Sequence, residues 1–328
     1  MTAPPETGTE NAGVTVRRSR AAASPGVGYV RTMAWKRALV ARMNNPLRRA
    51  TGLELQPTGS GVTAAKGTAR PKKKRAYDVA PMPAEERLIT RPVFIISSIR
   101  SGSTLLRMLL GSHSALYAPH ELHLSNIGVR LRTHNTHKSM AAIGLDQTRL
   151  EHLLWDRLLD RQLRMSGKKT LVNKTPSDAF IWQRIVECWP DARFIFLLRH
   201  PMSIVRSRQA AHPREPLERH VARTSTFMNA VEEARSSLPG LTVRYEQLTV
   251  DPKAVTQEIC TFLGVEWEPG MLNYGDSGEG EFRMGLGDWS EQIRSGAVQP
   301  ARPLPSPDEV PESLTGLCRA WGYLPDDG

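Results

Sequence analysis

Residues 91–98 (RPVFIISS) and 192–198 (ARFIFLL) each hold an unbroken apolar run, Val93 to Ile96 in the first and Phe194 to Leu198 in the second. Runs of that length without polar alternation are expected of strands buried on both faces of a parallel sheet. A helical pattern follows each one. Leu105, Leu109 and Leu110 recur at helical spacing after the first run, and Pro201 opens a helix over residues 201–209 at a position where its missing N–H is not needed. Residues 170–173 and 241–245 predict two more strands, and residues 176–188 and 251–262 two more helices. Strands alternating with helices make an α/β domain whose parallel sheet is flanked by helices.

Between these units, residues 146–165 repeat Leu150, Leu153, Leu154, Leu158 and Leu159 at i, i+3, i+4 spacing. The pattern predicts an amphipathic helix with that stripe turned inward and Asp146 as its N-cap. Residues 215–237 predict a second long helix. Helical insertions of this kind cover one end of a sheet and shape a pocket there. After Met271 the density of Gly and Pro predicts loop.

Charge changes the picture of where the domain begins. The 328 residues carry 44 Lys plus Arg against 33 Asp plus Glu, a formal +11. Residues 1–84 hold 15 of those cations and 4 of the anions, which leaves 29 of each sign over residues 85–328. A basic, largely disordered extension (1–84) therefore precedes a neutral domain (85–328), and no nucleic acid partner is expected for the body. Within the extension, residues 32–49 set Met33, Trp35, Leu39, Val40 and Met43 among Lys36, Arg37 and Arg42. That predicts a short amphipathic helix, packed loosely on the body in preference to lying on an anionic membrane, so membrane contact is at most peripheral. Residues 71–75 (PKKKR) read as a solvated linker. No apolar run approaches the ~18 residues that cross a bilayer. Cys188, Cys260 and Cys318 are too far apart for a zinc knuckle and odd in number, and the N-terminus lacks a basic-then-apolar leader. A reducing, cytoplasmic setting is the expectation.

The chemistry gathers at two turns. SIRSGSTLL (98–106) lies where a buried strand becomes a helix: Gly102 permits a close turn, Ser101, Ser103 and Thr104 bring hydroxyls, and Arg100 brings a fixed charge. Backbone N–H groups at the helix start complete an anion cradle. The nucleoside triphosphate pattern G-x-x-x-x-G-K-[ST] is absent, since the spacing is short and its Lys is missing. LLRHPMSIVRSR (197–208) ends the second buried strand, with Arg199 at the turn and Ser207 eight residues on, two helical turns away.

R-S-G-S-T-L-L after a strand, K-T-P, R-H-P with a Ser eight residues past the Arg, and R-Y-E-Q-L occur in that order over roughly residues 91–272. Together they resemble the sulfotransferases that use 3′-phosphoadenosine 5′-phosphosulfate, and the bacterial and tyrosylprotein branch more than the cytosolic steroid branch, given Arg100 and P-H-E-L-H. The resemblance implies a P-loop-like parallel sheet. It also implies that Arg100, Ser101, Gly102, Ser103 and Thr104 hold the 5′-phosphosulfate, that Arg199 and Ser207 hold the 3′-phosphate, and that Lys174 neutralises the moving group. Glu121 takes the place of the tyrosylprotein branch's base, with His120 and His123 as rivals because neutral imidazole suits the same task. The acceptor is a small-molecule or carrier-borne hydroxyl that the sequence leaves unidentified. His120, Glu121 and His123 invite a metal reading, as do His134 and His137, but no metal is expected: H-E-L-H lacks the spacing of H-E-x-x-H, and positioned cations suffice for sulfuryl transfer in the family resembled.

Other residues keep plainer readings. Tyr245 packs, and Glu246 caps or pairs. Arg107, Arg206 and Arg208 are read as solvated helix charges that could assist an anion, and residues 285–296 occupy the place of a loop over the nucleotide, without the steroid branch's R-K-G. Two other functions share the pattern, a P-loop kinase acting on a small metabolite and a non-catalytic module bound through the basic extension. The missing Lys argues against the first.

Overall fold

The computed structural model describes residues 53–58, 61–66, 81–275 and 291–325. The chain divides into two compact units, residues 1–76 and 77–328. In the first, strands β1 (Leu53–Thr58) and β2 (Gly61–Lys66) pair antiparallel with Thr58 opposite Gly61. Both strands lie within the extension, in two strand-compatible runs that flank a Gly-Ser pair in the sequence. The helix expected over residues 32–49 and the PKKKR segment lie outside the described residues.

The second unit is built on strands β3 (Val93–Ser97), β4 (Leu116–Tyr117), β5 (Thr170–Lys174), β6 (Arg193–Leu198) and β7 (Leu241–Arg244). Their order across the sheet is β4-β5-β3-β6-β7, and every neighbouring pair is parallel. The helices are α1 (Ser103–Gly111), α2 (His134–Ala142), α3 (Gln147–Ser166), α4 (Trp182–Cys188), α5 (Pro201–Ala211), α6 (Leu217–Ser237), α7 (Tyr245–Val250), α8 (Pro252–Leu263), α9 (Glu291–Arg294) and α10 (Glu312–Ala320). Alternate residues of β3 face opposite layers, as a strand's period of two requires. Phe94 and Ile96 pack with Trp155, Met228 and Trp321 on one face, while Val93 and Ile95 pack with Leu106, Leu109 and Ile259 on the other. Full burial of one such side chain stabilises the fold by about 1.5–3 kcal/mol. No described helix is long and apolar enough to cross a membrane.

Three expectations need correction. The helix predicted over 176–188 is a 3-10 turn (Pro176–Phe180) followed by α4. The segment after Met271 is not all loop: Leu314, Leu317, Cys318 and Trp321 repeat at i, i+3, i+4, i+7 and bury α10 against the core, a pattern masked by the prolines that precede it. In α3 the inward face is largely polar. Glu151, His152, Asp156 and Asp160 are buried alongside Trp155 and Leu159, whereas Leu154 is exposed. The cause is hydrogen bonding, since Asp156 accepts from the backbone N–H groups of Leu88 (2.6 Å) and Ile89 (3.2 Å) and from Trp189 Nε1 (2.8 Å). Asp146 caps α3 as expected, accepting from Arg149 N at 2.7 Å.

Candidate active site

The turn from β3 to α1 folds through two left-handed residues, Arg100 (φ 64°) and Gly102 (φ 88°). For Arg100 that conformation costs about 1–2 kcal/mol and must be held by its surroundings. At Gly102 a side chain has no room, because the ring of Tyr245 occupies the space a Cβ would take. Ser101 turns inward: its Oγ is buried and donates to Ser98 O at 2.7 Å, closing the turn from within. Helix α1 starts at Ser103 with no side-chain cap and no acidic residue in its first turn. The positive end of its dipole is thus left uncompensated by local carboxylates.

The turn from β6 to α5 lies alongside, because β3 and β6 pair in register from Val93 opposite Arg193 to Ser97 opposite Leu197. Arg199 leaves β6 and lays its guanidinium 4.3 Å over the Tyr245 ring. One of its terminal nitrogens donates to Arg100 O at 3.0 Å, and its buried Nε has no partner. Burial pulls the Arg199 pKa below the usual arginine value, and Tyr245 and Glu246 oppose that shift. His200 caps α5 by accepting from Met202 N at 3.2 Å, while its own backbone N–H donates to Glu246 Oε1 at 3.1 Å. The other Glu246 oxygen accepts from Tyr323 Oη at 2.6 Å. Tyr245 and Glu246 therefore pack, cap and pair as expected, and Tyr245 also reaches the cavity.

Lys174, at the end of β5, is only 1% exposed, and its Nζ lies 2.5 Å from Glu121 Oε1 and 3.4 Å from Thr104 Oγ1. Lys174 is therefore a buried lysine. Glu121 Oε2 is 3.6 Å from His123 Nε2, and His123, itself left-handed (φ 50°), donates its backbone N–H to Thr175 Oγ1 (3.4 Å). His120 is exposed and sits against the backbone carbonyl of Glu121 (3.1 Å). Behind the pair, Asp178 is 1% exposed. Its Oδ2 accepts from Asn173 Nδ2 at 2.6 Å and its Oδ1 has no partner. Burial, reinforced by Glu121, pushes the Asp178 pKa up to about 8.

One cavity of about 890 Å³ joins these groups. Arg100, Gly102, Ser103 and Thr104 line it from the first turn, Arg199 and Ser207 from the second, and Glu121 and His123 from the loop after β4. Lys174 meets the cavity indirectly, through Glu121 and Thr104. The structure also brings in Ser203, Arg206, Tyr274 and Arg302, of which the sequence singled out only Arg206. Arg302 and Tyr274 lie in a Gly- and Pro-rich stretch with no local pattern, so only their position in space marks them. Arg206 pairs with Glu309. Arg107 and Arg208 are not solvated charges: Arg107 is buried and donates to Ala118 O at 3.0 Å, and Arg208 is buried against Glu215 at 2.7 Å. Among the described residues no cluster of His, Cys, Asp and Glu is arranged to hold a metal ion.

The sulfotransferase family model matches residues 92–269, more than half of the chain and the whole stretch from the first turn to helix α8. The chain belongs to the sulfotransferase family. Nodulation protein NoeE of Sinorhizobium fredii (strain NGR234) is 30% identical to this sulfotransferase-family chain over 141 residues, 40% of this chain and 32% of that protein. A protein-tyrosine sulfotransferase of Drosophila melanogaster is 23% identical over 197 residues, 56% of this chain and 40% of that protein. The matched region thus spans well under half the length of these curated relatives. Among solved structures, the sulfotransferase domain from the curacin biosynthetic pathway superposes with a TM-score of 0.53 at 24% identity, over 72% of this chain and 99% of that one. The sulfotransferase domain of the Synechococcus PCC 7002 olefin synthase gives 0.55 at 24% identity, over 72% and 96%. At that identity the likeness establishes a shared fold, the parallel sheet with its flanking helices.

Proposed function

We propose that this chain transfers a sulfuryl group from 3′-phosphoadenosine 5′-phosphosulfate to a hydroxyl of a small-molecule or carrier-borne acceptor. The observation that supports this reading most is the shared cavity: two arginine-bearing turns open onto the same space as a carboxylate already joined to a buried lysine. The 5′-phosphosulfate would lie on the N-terminus of α1 and on Arg100, where backbone N–H groups and a fixed charge favour an anion. The 3′-phosphate would lie toward Arg199 and Ser207, and the unpartnered Nε of Arg199 fits an anion there.

In the transfer step the acceptor oxygen attacks sulfur, and its proton passes to Glu121. The O–S bond to the acceptor forms as the bond between sulfur and the 5′-phosphate oxygen breaks. Arg100 and Lys174 offset the charge that grows on the departing phosphate. Lys174 suits this role because Thr104, in the first turn of α1, already touches it. His123 lines the cavity beside Glu121 and remains the second candidate base, whereas the exposure of His120 counts against it. The products are a sulfate ester and adenosine 3′,5′-bisphosphate.

Titration calorimetry of the full chain with adenosine 3′,5′-bisphosphate and with AMP tests the donor. The bisphosphate is expected to bind at least about tenfold tighter, a difference of ~1.4 kcal/mol. Equal affinity for the two nucleotides overturns the reading.

A further inference from the structure

Asp178 lies in the turn that follows Lys174, behind the transfer centre of the reading above, on which this inference rests. Strand β5 ends in Asn173 and Lys174, and the 3-10 turn Pro176–Phe180 comes directly after Thr175. Two hydrogen bonds close this segment on itself: the Asp178 backbone N–H donates to Thr175 O at 2.9 Å, and Asp178 Oδ2 accepts from Asn173 Nδ2 at 2.6 Å. Asn173 and Thr175 are fully buried, and Thr175 Oγ1 accepts from the backbone N–H of His123. The side chain of Asp178 thus braces the segment that carries Lys174, and that segment is tied to the loop carrying Glu121.

The brace is short of partners for an anion. An ionised carboxylate offers two oxygens and about four lone-pair sites. Asp178 receives one side-chain hydrogen bond, and its Oδ1 has no partner. Asp156, buried to the same degree, accepts three. A buried carboxylate so thinly solvated is costly, and the neutral acid avoids that cost. The charged neighbours do not reverse this. Glu121, on the loop after β4, repels a second negative charge, and His123 stands beyond it, 3.6 Å from Glu121 Oε2. Lys174, on β5, favours the anion but is already paired with Glu121. Strand β3 and helix α6 also pack on this turn, α6 through Phe227 against Phe180, and among the described residues neither brings a charged group that acts on Asp178. Burial is the main reason that its pKa stands at about 8.

Neutrality matters in the transfer step. Glu121 and Lys174 first neutralise each other. Once Glu121 has taken the acceptor's proton, the ammonium is freed for the departing phosphate. An ionised Asp178 would compete for that ammonium and add a negative charge near the phosphate as the phosphate's own charge grows. We propose that Asp178 is a positioning residue that braces the Lys174 turn as a neutral carboxylic acid, and that sulfuryl transfer requires it to keep its proton.

Two measurements on the full chain test this. Infrared difference spectra are expected to show a protonated-carboxyl C=O band in the wild type at pH 7 that fades as pH rises through about 8 and is missing from Asp178→Asn. Donor turnover with a phenolic test acceptor is expected to fall roughly tenfold from pH 7 to pH 9 in the wild type, as the neutral fraction shrinks. Asp178→Asn, neutral at every pH and still able to accept from Asn173, should keep pH 7 turnover within about threefold and stay level to pH 9. Asp178→Ala removes the brace and should lose about tenfold in kcat, with bisphosphate affinity within about threefold. A wild type without the band, or with level turnover to pH 9, overturns the proposal. So does an alkaline fall that persists in Asp178→Asn, which assigns the titration to another group, and so does wild-type kcat in Asp178→Ala. Equal binding of bisphosphate and AMP by the wild type defeats the donor reading instead, and the infrared band still reports whether Asp178 holds its proton, so the two failures are told apart.

Discussion

The buried ammonium of Lys174 stands with its Nζ 2.5 Å from Oε1 of Glu121. Strand β5 delivers the lysine and the loop after β4 delivers the carboxylate, 53 residues apart in the chain. β4 and β5 are parallel neighbours, with Leu116 opposite Thr170 and Tyr117 opposite Leu171, so the loop leaving β4 emerges beside the end of β5. The pair is thus a product of sheet order.

Glu121→Gln and Lys174→Met are each expected to keep adenosine 3′,5′-bisphosphate affinity within about threefold while donor turnover with a phenolic test acceptor falls by roughly 10²-fold or more. Because the two groups touch, the double variant should lose little beyond the worse single one. Release of the bisphosphate, followed by chromatography, provides the measurement. Full turnover in Glu121→Gln would remove it as the base and pass the role to His123.

Gly102→Ala places a methyl group in the Tyr245 ring at a left-handed residue. Loss of nucleotide binding is expected, together with a stability loss of about 1–3 kcal/mol. Denaturant titration and calorimetry read the two effects. A second substitution, Tyr245→Ala, relieves the overlap but not the backbone strain, so stability should return only in part. A Gly102→Ala variant with wild-type affinity would show that the turn is not held in this shape.

Asp178 makes stability depend on pH with a definite sign. Its folded pKa is raised from 3.8 to about 8 by burial, with Glu121 adding to the shift. Below pH 4 both folded and unfolded chains hold the proton. Between pH 4 and 8 only the unfolded chain gives it up, so this group lowers stability as pH rises, by about 1.4 kcal/mol per pH unit at most. Asp178→Asn removes the ionisation and should raise stability relative to wild type more at pH 8 than at pH 5. Denaturation midpoints at those two values give the answer, and an equal difference at both contradicts the assignment.

Several parts of this picture were open to a reader of the chain because they are local. The apolar runs around Phe94 and Phe196 form buried strands, and the S-G-S-T and R-H-P stretches at their ends mark the turns proposed to bind the donor's anionic groups. Asp146 could be named as a cap because an N-cap serves the backbone of its own helix. Helix α3 shows where this stops. Its leucines suggested the inward face, but Asp156 and Glu151 lie inside because backbone N–H groups from residues 88, 89 and 129 need acceptors there. No periodicity in α3 records what distant loops require.

The order of residues by itself determined the alternation of strand and helix, the placement of Arg100 and Arg199 at strand ends, and the family to which the chain belongs. Each of these depends on side chains a few positions apart, whose effect on backbone shape is felt at once. Tertiary structure alone decided that Lys174 is buried against Glu121, that Ser101 faces inward, that Ser207 holds Arg100, and that Arg302 and Tyr274 join the same cavity. Those contacts are set by which strands become neighbours and by how deeply each turn is covered, and both are settled only when the whole sheet packs.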